Sequence, residues 1–355
     1  MNVGLIHPNL NSCGGRELVA ISMLDCLKEM DLRTILLSNK RIARKTIMNY
    51  FGLDVKADKD VILPFEIRHF ETYNNVFLPL IIKPFCEIVI NAYTNSFLPF
   101  VDVTYFHSAG SPADEKRNRR LDFYHLPFHY LEKTLSFRTQ KKLVLANSNC
   151  TAEMLRKSLG IRPKVIYPPV YTKRLHPAAV KERLIVTVGL FSPWKNLELI
   201  PEVARKIDAH FVIIGGLFDK DTYSRVLDLI KEKQVDDKVT IFTNAPLDVK
   251  LEFLQKAKVY FHTQPWEDFG ISIIEGMAAN CIPVVHDSGG PREYVPPEWR
   301  YKDAEDAIQK INKALDAPSS VSRKMKDISN DFSAERFQKE FSDALKEYFL
   351  SRSFS

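Results

Sequence analysis

The chain has 355 residues and a net charge of +6, with 45% hydrophobic and 26% charged residues. This length favours two domains over a single core, and the composition is that of an ordinary soluble globular protein. Five scattered cysteines without CxxC spacing indicate reduced thiols, which excludes a disulfide framework and a zinc site.

No basic segment or cleavage site of a signal peptide accompanies the predicted first strand at the start of the chain. The most apolar region, residues 76–90, is interrupted by two prolines and two charged residues, so it is too short and too broken to span a bilayer. We therefore expect a cytoplasmic protein.

Predicted strands alternate with helical stretches along the chain, which is the pattern of α/β domains with parallel sheets. The strands predicted in the first half are Val3–Ile6, Thr34–Leu37, Glu87–Asn91, Val101–Phe106 and Lys142–Ala146. Those predicted in the second half are Leu184–Val188, Phe211–Ile214, Val239–Phe242, Val259–Phe261 and Ile282–Val285. Their spacing of roughly twenty to thirty residues leaves room for one crossover helix each.

The domain organisation follows from this alternation. A proline-containing stretch with little periodicity, residues 167–182, is predicted to link two Rossmann-like halves. We predict an N-terminal domain at residues 1–170 and a C-terminal domain at residues 171–332. Residues 333–355 are predicted to add a charged terminal helix.

The run from Glu267 to Glu275 follows a short apolar strand, opens a predicted helix and is the most informative segment of the chain. Gly270 lets the backbone approach a ligand, and the first helical N–H groups, from Ile271 on, have no partner inside the helix. With the helix dipole, these donors suit a diphosphate. Glu267 would lie beside that diphosphate, and Glu275 is placed to accept hydrogen bonds from ribose or sugar hydroxyls. The arrangement suits a sugar nucleotide.

Three further candidates follow other predicted strands. The turn at Gly14 and Gly15 either brings backbone N–H groups to a phosphate or sugar, or merely makes the turn. Lys195 is a candidate cation for a leaving diphosphate, although a lone lysine is by default an exposed surface residue. His107 lies at the carboxyl edge of the first sheet, where ligands bind in open α/β folds. A lone histidine is otherwise more often structural.

Other polar positions are assigned lesser roles. Asn244 ends a strand and could frame the nucleotide base, which could as well be uracil as guanine. The Asp-x-Asp sequence at Asp58 and Asp60 lies in a polar segment and is interpreted as solvated surface, not as a metal site. His262 and His286 also end strands and are assigned structural roles.

Five motifs occur in an order and at a spacing similar to those of one family. They are Tyr105-Phe106-His107, Ala146-Asn147-Ser148, Tyr167-Pro168-Pro169, Glu267-x7-Glu275 and Ser288-Gly289-Gly290-Pro291. The set resembles the retaining, GT-B fold glycosyltransferases of family 4, and it is most similar to the α-1,2-mannosyltransferases that extend dolichol-linked oligosaccharides. A Glu-x7-Glu spacing alone arises often by chance, but the ordered set spans most of the chain.

The resemblance implies a GT-B fold, in which two Rossmann-like domains with parallel sheets face a central cleft and the C-terminal helix crosses back to the first domain. It implies retaining transfer of a hexose, favouring mannose from GDP-mannose, from a sugar nucleotide to a hydroxyl of a glycan or lipid-linked acceptor. No cofactor, metal or nucleic-acid partner is expected. The implied catalytic residues are Glu267, Lys195 and His107. The implied donor-binding residues are Gly14, Gly15, Lys195, Asn244, Glu267, Phe269, Gly270, Ile271 and Glu275.

One departure from the family pattern leaves alternatives open. The family pairs the lysine at Lys195 with an arginine a few residues earlier, where this chain has Leu190 and Ser192. The alternative enzymes are a GT-B sugar-nucleotide epimerase and a glycogen-synthase-like glucan synthase, which differ in whether they need an acceptor. The alternative of another class is a non-catalytic sugar-nucleotide-binding or membrane-scaffolding protein. An NAD dehydrogenase is disfavoured, because neither half has GxGxxG with an acidic residue about twenty positions on.

The positive charge is concentrated in the first half of the chain. Residues 1–170 hold 23 Lys and Arg against 16 Asp and Glu, a net charge of +7, and the remainder carries −1. Much of the excess lies in residues 115–142, where basic and aromatic residues interleave, and a smaller cluster lies at residues 40–45. The pattern suits either peripheral contact with an anionic membrane or a solvated face.

Overall fold

The structure, a computed structural model, describes residues 1–63, 71–108, 134 and 142–353, without the side chains of residues 71–76 and 353. The chain divides into two compact units. The N-terminal unit comprises Met1–Pro169 and Glu335–Ser355, and the C-terminal unit comprises Val170–Ala334.

The N-terminal unit is built on a parallel sheet that has seven strands among its described residues, in the order β3-β2-β1-β4-β5-β6-β7. The strands are β1 (Asn2–Ile6), β2 (Arg33–Ser38), β3 (Lys59–Ile62), β4 (Ile88–Asn91), β5 (Val103–Phe106), β6 (Leu143–Ala146) and β7 (Lys164–Val165). The helices of its first 169 residues, within the described part, are α1 (Gly15–Glu29), α2 (Arg44–Phe51), α3 (Glu71–Ile82) and α4 (Asn149–Leu159).

The core of this unit forms where α3 packs on the sheet. Ile82 of α3 is buried with Ile6, Leu37 and Val89 from three neighbouring strands. Gly4 permits this approach, because a Cβ atom there would lie 2.7 Å from the Cδ1 atom of Ile82. The central strands β1, β4 and β5 are buried along almost their whole length, as expected of a parallel sheet that is covered on both sides.

The C-terminal unit is built on a second parallel sheet, with six strands in the order β10-β9-β8-β11-β12-β13. These strands are β8 (Glu182–Val188), β9 (His210–Gly215), β10 (Val239–Thr243), β11 (Ala257–His262), β12 (Ile282–His286) and β13 (Arg300–Tyr301). Its helices are α5 (Leu199–Ala204), α6 (Lys220–Glu232), α7 (Leu247–Lys256), α8 (Ile271–Ala278), α9 (Ala304–Asp316) and α10 (Ser319–Ser329).

Each sheet reverses its strand order once, between β1 and β4 in the N-terminal unit and between β8 and β11 in the C-terminal unit. In open α/β sheets ligands bind beyond the carboxyl ends of the strands at such a reversal, because the loops on either side turn away from each other and leave a crevice. These two edges therefore position the candidate residues.

The last helix, α11 (Ala334–Ser353), packs on the N-terminal unit. Phe337 is fully buried and its ring lies 6.4 Å from that of Tyr105, between centroids. Further along the helix, Glu347 pairs with Lys164 at 2.9 Å and Arg352 pairs with Asp102 at 2.9 Å. The terminal helix thus belongs to the first unit although it follows the second in sequence.

All ten strands predicted from the sequence are present, and the prediction of two parallel-sheet Rossmann-like domains is confirmed. The sequence prediction missed three short strands, β3, β7 and β13, which lie at sheet edges where they need less apolar sequence. Asp58 and Asp60, predicted as solvated surface, are tied to neighbouring elements. Asp58 accepts the backbone N–H of Thr34 at 2.7 Å, and Asp60 pairs with Arg44.

Candidate functional site

The loop after β11 enters α8 through a glycine turn. Gly270 has φ +89°, a left-handed conformation, and its carbonyl accepts the N–H of Ile273 at 3.0 Å. A Cβ atom at this position would lie 2.5 Å from the Cδ1 atom of Ile273 and 3.1 Å from the hydroxyl of Tyr294. Glycine is therefore required here, and the helix starts at Ile271 with its first N–H groups at the carboxyl edge of the sheet.

A second glycine turn holds this loop from the other side. The N–H of Gly290 donates to the carbonyl of Glu267 at 2.8 Å, and the N–H of Trp266 donates to the hydroxyl of Ser288 at 2.7 Å. Gly289 has φ +67°, and a Cβ atom on it would lie 2.2 Å from the carbonyl oxygen of Glu267. The motif from Ser288 to Gly290 thus fixes the backbone that carries Glu267.

Lys195 and Glu267 meet across the strand reversal. The turn after β8 and the loop after β11 bring the Lys195 Nζ atom to 2.7 Å from Glu267 Oε2, and His262 Nε2 lies 3.1 Å from the same oxygen. Their side chains are largely buried, at 19%, 14% and 3% exposure respectively. The hydroxyl of Thr263 donates to the Lys195 carbonyl at 2.6 Å and so ties the two loops together.

The three groups form a charged cluster with a defined protonation state. Burial opposes ionisation of Glu267, but the Lys195 ammonium and the hydrogen bond from His262 outweigh it and hold the pKa of Glu267 below its usual range. Burial lowers the pKa of His262. The cluster at neutral pH is therefore an ammonium, a carboxylate and a neutral imidazole that donates to the carboxylate. His262, which was assigned a structural role from the sequence, contacts the candidate carboxylate directly.

Glu275 has a cationic partner of its own. Its Oε1 atom lies 2.7 Å from Nζ of Lys250, on the first turn of α7, and both side chains are less than one-fifth exposed. Sequence reasoning missed Lys250, because it precedes Glu275 by 25 residues and no motif joins them. This edge of the sheet therefore carries two largely buried Lys–Glu pairs.

The positions where the family places its arginine hold no charge here. Ser192 is fully buried, and the side chain of Leu190 faces the loop after β9, where a Cβ atom on Gly216 would lie 2.8 Å from it. Asn244, at the end of β10, accepts the N–H of Leu217 through its side-chain oxygen at 3.3 Å. Asn244 thus shapes the loop after β9 and stands at the same edge as Lys195.

Phe269 differs from the other predicted donor-binding residues. Its side chain is 2% exposed and packs among the rings of Tyr294 and Phe332. Its carbonyl accepts a short hydrogen bond from the hydroxyl of Tyr294. The ring of Phe269 therefore anchors the loop to the core.

In the N-terminal unit, His107 lies at the end of β5 as predicted. Its Nε2 atom donates to the carbonyl of Ala92 at 2.9 Å, and its own N–H donates to the side chain of Asn95 at 2.9 Å. Burial lowers the pKa of His107 to about 3, so the ring is neutral at physiological pH.

The glycine turn after β1 is held by a buried acid. The N–H of Gly14 donates to Glu17 Oε2 at 2.7 Å, so this donor is used within the chain, and Gly15 begins α1. The other oxygen of Glu17 lies 3.5 Å from Nε2 of His7. His7 is fully buried, and within the described part of the chain neither of its ring nitrogens has a hydrogen-bond partner.

Most of the basic stretch at residues 115–142 lies outside the described residues. Its last member, Lys142, is described: its ammonium donates to the carbonyl of Leu98 at 3.2 Å, and burial lowers its pKa. Lys142 therefore ties two segments together and is not an exposed cation. In the smaller cluster Arg44 pairs with Asp60, while Lys40, Arg41 and Lys45 are exposed.

The described residues contain neither a helix that could span a membrane nor a cluster of metal ligands. No helix within residues 71–82 or elsewhere in the described ranges has the length and apolarity needed to cross a membrane. Nor do the described His, Cys, Asp and Glu side chains gather in groups of three or more that could hold a metal ion.

Comparison with known sequences identifies a domain and a set of relatives. The profile of the family described as "Glycosyl transferases group 1" matches residues 172–331. Proteins named GDP-Man:Man(3)GlcNAc(2)-PP-Dol alpha-1,2-mannosyltransferase are similar to the chain. The one from Dictyostelium discoideum is 26% identical over 58% of this chain and 47% of its own length, and the one from Homo sapiens is 30% identical over 42% and 35%. The chain thus spans less than half the length of these curated relatives.

Solved structures share the fold across nearly the whole chain. A glycosyltransferase from Rickettsia africae has a TM-score of 0.73 at 18% identity, covering 98% of both chains. The HepE protein of Anabaena in complex with UDP and glucose has a TM-score of 0.75 at 15% identity, covering 98% of this chain and 100% of its own. Sucrose-phosphate synthase from Thermosynechococcus elongatus has a TM-score of 0.77 at 14% identity, covering 99% and 100%. At these identities the likeness establishes the GT-B fold class.

Proposed function

Because the chain carries a glycosyl transferases group 1 domain over residues 172–331, we propose that it is a retaining hexosyltransferase that uses a sugar nucleotide. The observation that carries this proposal is the pairing of Lys195 with Glu267 at the strand reversal, directly before the N-terminus of α8. An ammonium and the free N–H groups of a helix start together suit a diphosphate.

The donor takes over interactions that the chain now makes with itself. A diphosphate is a stronger partner for Lys195 than one carboxylate, since it offers more charge and more acceptor oxygens. Glu267, released from the ammonium but still bonded to His262, is then free to accept hydrogen bonds from hydroxyls of the transferred sugar. Glu275, held by Lys250, takes the ribose hydroxyls.

The transfer step needs no side-chain nucleophile. The acceptor hydroxyl oxygen bonds to the anomeric carbon on the face from which the diphosphate departs, and the diphosphate oxygen accepts the hydroxyl proton. Configuration is thereby retained. Lys195 and the N–H groups of α8 stabilise the negative charge that grows on the departing diphosphate, which lowers the barrier without a metal ion. Activity should therefore survive excess EDTA.

The favoured donor is GDP-mannose and the favoured acceptor is a glycan or a lipid-linked oligosaccharide, on the strength of the relatives' names. The test is to incubate the purified chain with GDP-mannose and a lipid-linked oligosaccharide and to measure GDP release and mannose transfer. Acceptor-dependent transfer supports the proposal. Interconversion of the sugar without an acceptor would indicate an epimerase, and polymer formation from UDP-glucose or ADP-glucose would indicate a glucan synthase.

One observation favours a second candidate, a non-catalytic sugar-nucleotide-binding protein. Leu190 and buried Ser192 leave the diphosphate site without the arginine of the family pattern. If the lost charge abolishes turnover, sugar nucleotides will still stabilise the protein against heat while releasing no nucleotide, even by slow hydrolysis. Any measurable donor hydrolysis dependent on Lys195 removes this candidate.

We also propose that the protein acts at the cytoplasmic face of a membrane, with the N-terminal unit in contact with anionic lipid. Support comes from the +7 charge of residues 1–170 and from the exposed side chains of Lys40, Arg41 and Lys45, and a membrane location would suit the lipid-linked acceptor proposed above. Vesicle cosedimentation at rising salt tests it, because exposed charges are screened beyond about 8 Å at 0.15 M salt.

A further inference from the structure

Two aromatic side chains stand exposed at the carboxyl edge of the second sheet. Trp194 is 50% exposed and Phe218 is 63% exposed, yet their rings contact each other edge to face, with centroids 5.0 Å apart. Neither ring takes part in the core or in the paired charges described above. Large aromatic rings that stay half exposed leave apolar surface that a ligand could bury.

The sequence neighbours of this aromatic pair belong to the candidate site. Trp194 lies on the turn Pro193–Lys195, immediately before the lysine that pairs with Glu267. Phe218 follows Leu217, whose N–H is held by the side chain of Asn244. The pair therefore stands on the loops after β8 and β9, beside the end of β10.

The two loops that carry this aromatic pair are held rigidly against each other. A Cβ atom on Gly215 would lie 1.9 Å from the carbonyl oxygen of Gly189, so the backbones of the loops after β8 and β9 are in direct contact. The N–H of Phe191 donates to the carbonyl of Gly216 at 2.9 Å, and the N–H of Asp219 donates to the carbonyl of Phe191 at 2.8 Å. Aromatic side chains on such rigid loops lose little conformational entropy when a ligand binds.

The strand order places this aromatic surface next to the charged cluster, on the side of the sheet edge that leads towards β10. Glu267 follows β11 and Lys195 follows its neighbour β8, and the sheet continues through β9 to β10. A sugar nucleotide whose sugar and diphosphate lie between Glu267 and Lys195 extends its nucleoside along this edge. Lys250 of α7, which follows β10, holds Glu275 at the position proposed for the ribose.

We propose that Trp194 and Phe218 form the surface on which the base of the nucleotide stacks. The proposal rests on the proposed function, because it takes Lys195 as the diphosphate contact. Every nucleobase has a π face, so aromatic stacking adds affinity without selecting one base by hydrogen bonds. A purine has the larger face, so the surface should hold GDP more tightly than UDP.

Tryptophan fluorescence provides the test, since the chain has only three tryptophans and Trp299 is buried. GDP should quench the fluorescence of the wild-type protein, whereas inorganic diphosphate should bind without that quench. Trp194→Leu should weaken GDP binding on the order of tenfold, measured by calorimetry, and leave inorganic diphosphate binding unchanged. Phe218→Leu should weaken GDP binding in the same direction by a smaller factor.

Two conservative variants separate stacking from general damage. Trp194→Phe keeps an aromatic face, so it should bind GDP within a few-fold of wild type and lose the quench. Trp266→Phe, which replaces the other exposed tryptophan, should retain the quench.

Three results would overturn the inference, and they differ in what else they overturn. If Trp194→Leu binds GDP as tightly as wild type, the stacking assignment is wrong and the proposed function stands. If Trp194 responds to lipid vesicles and not to GDP, the aromatic pair contacts a membrane instead. If neither GDP nor UDP binds the wild-type protein, the proposed function fails together with this inference.

Discussion

The carboxyl edges of the two sheets are built alike but differ in the charged groups that they hold. Each edge has a glycine turn, a buried glutamate and a histidine within contact distance of that glutamate, yet only the C-terminal edge adds lysines. There Lys195 and Lys250 pair with Glu267 and Glu275 at 2.7 Å. In the N-terminal unit burial keeps the histidines neutral, with the pKa of His107 lowered to about 3.

The difference indicates what each edge can bind. Largely buried ammonium groups can exchange a carboxylate for a diphosphate, whereas the neutral imidazoles of the N-terminal edge offer hydrogen bonds without a positive charge. We therefore expect substitutions at the C-terminal edge to weaken binding of the donor's diphosphate. Substitutions at the N-terminal edge should instead change the stability of the fold and contacts with hydroxyl groups.

The largest effect is expected at Lys195. Lys195→Ala should lower kcat with the sugar nucleotide by roughly 10² or more, because it removes the cation nearest the departing diphosphate and no arginine stands at Leu190 or Ser192 to replace it. Lys206→Ala is the matched control, since Lys206 pairs with Glu305 on the same unit away from this edge. Activity within a few-fold of wild type in Lys195→Ala would mean that another cation serves the diphosphate.

The two glutamates should differ in kind. Glu267→Ala should mainly lower kcat because Glu267 lies at the reacting sugar, and Glu275→Ala should mainly raise KM for the donor through lost hydroxyl contacts. Lys250→Met should resemble Glu275→Ala, because Glu275 loses the ammonium that orients it. Steady-state kinetics on the three variants would contradict the assignment if both glutamate substitutions left kcat and KM unchanged.

The glycine turn from Ser288 to Gly290, which holds the backbone of Glu267, should not tolerate a side chain at Gly289. Gly289→Ala should destabilise the protein by about 2 kcal/mol or more, since the new Cβ atom would lie 2.2 Å from the Glu267 carbonyl oxygen at a residue with φ +67°. Gly160→Ala is the matched control: it has φ +71° but nothing within 4 Å of the added atom. If denaturant unfolding gives the same loss of stability for both variants, the backbone around Gly289 must shift to accommodate the added Cβ atom.

The buried His107 of the N-terminal edge should make the stability of the protein depend on pH. Between the usual histidine pKa of about 6.5 and the value of about 3 for His107, the unfolded chain binds a proton that the folded chain excludes. Stability therefore falls as the pH is lowered through this range. His107→Gln, which can still donate to the carbonyl of Ala92, should show a Tm that depends less on pH between 6.5 and 4. An unchanged pH dependence would mean that His107 titrates normally.

The smallest effect is expected on membrane binding. Replacing Arg117, Arg119 and Arg120 by Ser should weaken cosedimentation with anionic vesicles and leave donor affinity intact, because we propose that the donor is held mainly by the C-terminal unit. Wild-type protein that shows no preference for anionic over neutral vesicles would leave the basic stretch as a solvated face, and a soluble acceptor would then be favoured.

Local sequence was sufficient for ten of the thirteen strands that the structure describes. The strands were predictable because apolar runs such as Val259–Phe261 are bounded by polar loops at regular spacing, and each strand of a parallel sheet carries this signal by itself. The short edge strand Arg300–Tyr301 carries no such signal, and only its pairing with β12 makes it a strand.

The site was predictable only where a motif is contiguous. The run from Glu267 to Glu275 predicts a helix start that suits a phosphate. No local sequence pattern predicts the role of Lys250, because Lys250 contacts Glu275 only through tertiary packing. His262 could have been found, because it ends the strand that leads directly to Glu267. Gly289 and Gly290 belong to a contiguous motif, but their contact with the carbonyls of Glu267 and Asp268 required coordinates.

The most direct test of the account is a thermal-shift titration of wild-type protein and Lys195→Ala with GDP-mannose, UDP-glucose and ADP-glucose. A sugar nucleotide at a hundred times its dissociation constant adds about 2.7 kcal/mol of stability. We predict that GDP-mannose raises the Tm of the wild-type protein most, and that the same concentration raises the Tm of Lys195→Ala much less. An absence of any shift with all three sugar nucleotides, or an equal shift in both proteins, would contradict the claim that this edge holds the donor diphosphate through Lys195.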